Sequence, residues 1–121
     1  MDLSRLSALS IHAVSTMVEL TSELQPTLDT HAPNYAQRMQ GVERMRGAAA
    51  ITLRGAAQVL GATREVREEG RFVVAQSVVD EWPRLAAFIS PADRQAVQSS
   101  LHALSSSEPS ERVRALLAQI I

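Results

Sequence analysis

All five glycines of this 121-residue chain lie between positions 41 and 70, in a stretch that carries the tetrapeptide Arg-Gly-Ala-Ala twice, at 46–49 and at 54–57. The apolar residues of the same stretch recur at spacings of three and four, which is typical of an amphipathic helix. On a helical wheel they form two adjacent stripes, and the remaining side is polar. We therefore predict a central Gly/Ala-rich helix over residues 34–70, with neighbours on two sides and water on the third.

The two stripes differ in side-chain size. The first consists of Val42, Met45, Ala49, Leu53, Ala56 and Leu60. The second consists of Gly41, Ala48, Ile51, Gly55, Val59, Ala62 and Val66. The small residues of the second stripe would let a neighbouring backbone approach closely, although each glycine inside a helix costs about 1 kcal/mol relative to alanine. The alternative is that Gly61 ends the helix and a turn follows, because glycine is the commonest residue just past a helix C-terminus.

A first helix is predicted to begin at Leu3. Its apolar seam, spaced alternately by three and four residues, contains Leu6, Ser10, Ala13, Met17, Leu20 and Leu24, and is widened by Leu9, Val14 and Val18. We expect this seam to be buried and the side that carries Arg5, His12 and Ser15 to face water. Pro26 cannot continue the helix, so residues 26–34 are predicted to be a connection.

More helices are predicted after residue 70. Residues 72–79 contain enough β-branched side chains to form a strand. The sequence offers no second strand candidate that could pair with them, so we predict a helix there. Pro83 either kinks that helix or begins another. Ser90-Pro91-Ala92-Asp93 combines a capping serine, a first-turn proline and an acidic residue, which predicts the start of the next helix. The residues expected to be buried on that helix are Ala96 or Val97, Leu101 and Leu104.

A last helix after Pro109 completes an all-α fold, a compact bundle of about five helices forming one domain over residues 1–121. Its apolar side, which we expect to dock, consists of Val113, Leu116, Leu117, Ile120 and Ile121. Phe, Tyr and Trp together contribute only four residues, so the core is expected to be thin. Because a thin core benefits from a second subunit, we predict a homodimer formed through helix one, the Gly/Ala stripe or both.

No catalytic, metal or cofactor motif stands out. The sequence contains no cysteine, and its serines show no Gly-x-Ser-x-Gly pattern. His12, His31 and His102 fall on three separate segments without metal-ligand spacing. The glycine spacings match neither the Rossmann fingerprint nor the P-loop fingerprint of nucleotide-binding proteins. We therefore expect a non-enzymatic protein without cofactor or metal and, since a secretory signal and a bilayer-spanning apolar run are both missing, a cytoplasmic one.

Residues 52–64, Thr-Leu-Arg-Gly-Ala-Ala-Gln-Val-Leu-Gly-Ala-Thr-Arg, resemble the first helix and turn of bacterial helix-turn-helix proteins. The resemblance implies that Gly61 supplies the turn and that Thr63 and Arg64 open a recognition helix. An alternative function is therefore a DNA-binding transcriptional regulator with a degenerate helix-turn-helix at about 52–70, in which Thr63, Arg64 and Arg67 face DNA. A net charge of −1 favours a protein partner over nucleic acid.

The predicted function is that of a small regulatory or adaptor protein that binds another protein through an apolar helical face or groove. An antagonist of a transcription factor (an anti-activator) or a secretion or assembly chaperone would fit. The apolar contacts are assigned to Ala48, Ile51, Gly55, Val59 and Ala62, and contacts to acidic groups of the partner to Arg46, Arg54 and Arg64. Alternatively, Glu43–Arg46 and Arg64–Glu68 are ordinary surface pairs at helical spacing.

Overall fold

Five α-helices and no strand make up the part of the chain described by a computed structural model, residues 2–24 and 35–120. The helices are α1 (Leu3–Leu24), α2 (Tyr35–Gly61), α3 (Glu68–Phe88), α4 (Pro91–Ser107) and α5 (Glu111–Ala118). The predicted all-α fold of about five helices is confirmed. The predicted connection at 26–34, which includes His31, lies outside the described residues, as do Ile121 and the Leu24 side chain.

The central helix is shorter than predicted. Residues 34–70 do not form one helix, because α2 ends at Gly61 and a turn over residues 62–67 precedes α3. The carbonyl of Ala62 accepts hydrogen bonds from the backbone N–H groups of Glu65 and Val66, at 3.2 and 2.9 Å. Val66 is buried in the core. The turn thus reverses the chain and returns an apolar side chain to the interior, which a straight helix would have carried away from it.

The two stripes of α2 have different surroundings. The first stripe is buried as predicted, with only Met45 partly accessible. Of the residues in the second stripe, only Val59 at the end of α2 and Val66 in the following turn are buried. Ile51 is 69% exposed, and a Cβ added at Gly41 or Gly55 would have no neighbour within 4 Å. The second helix expected along this stripe is therefore not supplied by the described part of the chain.

Of the seam predicted for α1, Val14 and Val18 are buried, but its larger side chains are not. The buried residues of α1 are Ser4, Ala8, Ile11, Val14, Ser15 and Val18. The expectation of a buried seam through Leu6, Met17 and Leu20 is wrong, because these side chains are 47%, 44% and 56% exposed. Small side chains on the buried face allow α1 to lie close to α3, since interaxial distance depends on side-chain size at the contact. Close packing against α3 thus determines the orientation of α1.

Contacts along α1 give the directions of its neighbours. Ser4 faces Gly70 at one end of α3 and Ser15 hydrogen-bonds Glu81 further along, so α1 and α3 run in the same direction. Arg46, in the first half of α2, donates to the Phe88 carbonyl at the end of α3, and the end of α2 is joined to the start of α3 by a short turn, so α2 and α3 run in opposite directions. Helices α1 and α2 are therefore antiparallel, and α1 packs against both α2 and α3.

The C-terminal helices largely follow the sequence prediction. Helix α3 continues through Pro83, so this proline begins no new helix. Ser90 caps α4 as predicted, with its side chain accepting a hydrogen bond from the Asp93 N–H at 3.1 Å. On α4 Val97, not Ala96, is buried, together with Leu101. Val113 and Leu117 place the apolar side of α5 in the core.

One buried ion pair connects α3 to the segment between α4 and α5. The Arg71 and Glu108 side chains are 5% and 2% exposed, and Arg71 Nη2 donates to Glu108 Oε1 at 2.8 Å. Arg71 Nη1 donates to the Val66 carbonyl at 2.6 Å, and Glu108 Oε1 accepts from the Ser110 N–H at 3.2 Å. Both charges are thus paired and hydrogen-bonded, which a buried ion pair requires.

A substitution at Gly70 tests whether α1 and α3 approach each other closely. A Cβ at this position would lie 2.5 Å from Ser4 Oγ and 2.9 Å from Ser4 Cβ. We expect Gly70→Ala to lower the free energy of unfolding by about 1–3 kcal/mol, because the two helices would have to separate. Urea denaturation followed by circular dichroism measures the change.

Gly41→Ala is the matched control, since a Cβ there meets nothing within 4 Å. It is expected to stabilise the protein by up to about 1 kcal/mol through helix propensity. In a double-mutant cycle, Ser4→Gly should recover much of the stability lost in Gly70→Ala. Equal effects of the two glycine substitutions would contradict the proposed contact.

The Arg71–Glu108 pair generates a second prediction. Glu108→Ala leaves the Arg71 charge buried without a carboxylate, so we expect a loss of about 3–5 kcal/mol. Replacing both residues by apolar ones, in Arg71→Met/Glu108→Leu, should cost much less than the single change, because no buried charge remains. The same denaturation measurement applies. A Glu108→Ala loss below about 1 kcal/mol, the range of surface pairs, would show that the pair is not buried in solution.

Candidate protein-binding groove

A shallow groove of about 350 Å³ runs between the N-terminal half of α1 and the C-terminal half of α2. Helix α1 contributes Leu3, Leu6, Ser7 and Ser10, and α2 contributes Thr52, Gly55, Gln58 and Val59. None of these eight lining residues carries a charge. The antiparallel arrangement of the two helices places the start of α1 beside the end of α2, and this brings the leucines of one helix to the glycine of the other.

Two of the three hydroxyl groups that line the groove are hydrogen-bonded within their own helices. Ser10 Oγ donates to the Leu6 carbonyl at 2.9 Å, and Thr52 Oγ1 donates to the Ala48 carbonyl at 2.9 Å. Because these hydroxyl hydrogens are satisfied within their own helices, an apolar occupant leaves neither unpaired. The groove is therefore suited to an apolar ligand surface.

Gly55 forms the open part of the groove. A Cβ at this position would meet no atom within 4 Å, so the α2 backbone is accessible there. Ile51, one helical turn earlier, is the most exposed large apolar side chain in the described part of the chain. An accessible backbone flanked by exposed leucine and isoleucine side chains is a surface against which a second helix can pack closely.

The structure brings only some of the predicted apolar contact residues to this groove. Gly55 and Val59 line it, and Ile51 lies beside it. Ala48 is half-buried on α2, and Ala62 is half-buried in the turn, where it packs against the core. Leu3 and Leu6 line the groove from α1, and Leu6 belongs to the seam that the sequence predicted to be buried.

Two of the three predicted arginine contacts have intramolecular partners. Arg46 Nε donates to the Phe88 carbonyl at 3.0 Å, and Arg46 also pairs with Glu43, as its helical spacing suggested. Arg54 Nη2 lies 2.7 Å from Asp93 Oδ1 on α4. Arg64 is exposed in the turn. The expected Arg64–Glu68 pair is absent between these two described residues, since Glu68 pairs with Arg112 on α5.

The three residues that the alternative function assigns to DNA contacts, Thr63, Arg64 and Arg67, precede helix α3 and are not part of it. Thr63 and Arg64 are exposed in the turn, and Arg67 is the residue that precedes α3. The recognition helix that Thr63 and Arg64 would open does not begin there. The first turn of α3 instead carries Glu68 and Glu69, and its buried side includes Val74 and Val78, which pack in the core.

A polar cluster between α1 and α3 was not anticipated from the sequence. Ser15 Oγ donates to Glu81 Oε2, His12 Nδ1 lies 3.1 Å from Glu81 Oε1, and Arg84 Nη1 donates to Ser15 Oγ at 3.0 Å. His12 therefore contacts α3 and is only half solvated. Within residues 2–21 and 35–120, no group of three or more His, Asp or Glu side chains is placed to hold a metal ion.

Comparison with known proteins adds no family assignment. No protein-family model matches the chain, and no curated protein or solved structure matches it either. Among the five described helices, none has the length and apolar character needed to cross a membrane. The candidate site therefore depends on the geometry alone.

The polar cluster predicts a pH dependence of stability. Partial burial by itself raises the pKa of Glu81, but hydrogen bonds from Ser15 and His12 outweigh it and hold that pKa below its ordinary value of 4.5. A carboxyl group whose folded pKa is lowered stabilises the protein above its unfolded pKa, and the contribution is lost as the pH falls through the folded value. The stability difference between wild type and Glu81→Gln should thus be largest near neutral pH and shrink below about pH 4.5.

Urea denaturation of both proteins across this pH range measures the difference. The stability of the variant is subtracted from that of wild type at each pH because two other carboxyl groups also titrate with lowered pKa values. Hydrogen bonds from Arg112 lower the pKa of Glu68, and hydrogen bonds from Ser4 lower the pKa of Asp2. A difference that stays constant with pH would contradict the role assigned to Glu81.

Proposed function

We propose that the protein is a non-enzymatic regulatory or adaptor protein that binds a helix of another protein in the groove between α1 and α2. The observation that carries the proposal is an uncharged groove in which Gly55 leaves the α2 backbone open beside the exposed Leu3 and Leu6. An anti-activator that covers a helix of a transcription factor, or a chaperone that covers an assembly surface, would work in this way.

The chemistry of the groove favours a helical occupant. An extended peptide binds by adding to the edge of a sheet or, as a polyproline II segment, in a groove lined by aromatic side chains. The described part of the chain has no sheet, and none of the eight residues that line the groove is aromatic. A helix packs instead by inserting side chains between those of its neighbours, and it approaches most closely where the facing residue is small. Gly55 is such a residue, with Leu6 on one side of it and Ile51 one turn away.

Charged side chains contribute little to the affinity of this proposed binding. Arg46 and Arg54 are already paired within the chain, with Glu43 and Asp93. Recruiting either of them to an acidic partner would break an existing pair, so little net affinity would be gained. We therefore assign the affinity to apolar contacts with Leu3, Leu6 and Ile51, which are 55%, 47% and 69% exposed, and the specificity to the shape of the groove around Gly55.

Gly55→Leu tests this function directly, because the new side chain fills the groove. We expect Gly55→Leu to abolish capture of a stoichiometric protein partner from cell lysate by the purified, tagged protein, with bound material identified by mass spectrometry. Helicity should persist, since leucine favours the helix more than glycine does and a Cβ at this position meets nothing within 4 Å.

Gly47→Leu is the matched control. Gly47 is also inside α2 with open space around it, but it does not line the groove, so this variant should capture the partner as wild type does. Every capture is repeated with nuclease. Equal capture by the two variants would refute the groove, and recovery of nuclease-sensitive DNA without a protein companion would favour the DNA-binding alternative.

A further inference from the structure

We draw no further inference here: the strongest candidate, the exposed apolar patch on the outer face of α1 formed by Leu9, Met17 and Leu20, adjoins the groove already described, and nothing in the described part of the structure shows what covers it.

Discussion

The buried pair between Arg71 and Glu108 is the interaction on which the arrangement of the other elements depends. Arg71 extends from α3 to the Val66 carbonyl in one turn, and Glu108 accepts the Ser110 N–H in another. A guanidinium has five donors in a fixed plane, so it can hold a carboxylate and a carbonyl at once. Two turns that are distant in sequence are thereby held at one end of the molecule.

That end of the molecule also contains the candidate groove. Gly70 is adjacent in sequence to Arg71, and Ser4 packs against it. The position of Ser4 determines where Leu3 and Leu6 lie, and the turn after Gly61 determines where α2 stops beside them. The buried pair is not itself part of the groove. It holds the turn that follows α2 and the start of α3, and the α1 residues that line the groove pack next to these two segments.

The sequence was sufficient for the number and type of helices but not for the orientation of α1. Capping at Ser90 and the absence of any strand partner for residues 72–79 are local signals, and both predictions were confirmed. The buried face of α1 depends on α3, and the residues that make these contacts, such as Ser15 and Glu81, lie 66 positions apart in the sequence. Its outer leucines and its inner row of Ser4, Ala8, Ile11 and Ser15 both recur at helical spacing. Periodicity alone favoured the larger side chains, whereas the close approach at Gly70 required the smaller ones.

Only the α2 side of the candidate groove was predictable from the sequence, because tertiary packing determines which face of α1 is exposed. Gly55 and Val59 stood out because glycine is unusual inside a helix, but their neighbours in the groove come from the face of α1 that was assigned to the core. Nothing in sequence spacing relates Arg71 to Glu108 or Ser15 to Glu81, since each pair joins separate helices or turns. Such contacts follow from tertiary packing, and the sequence contained no signal for them.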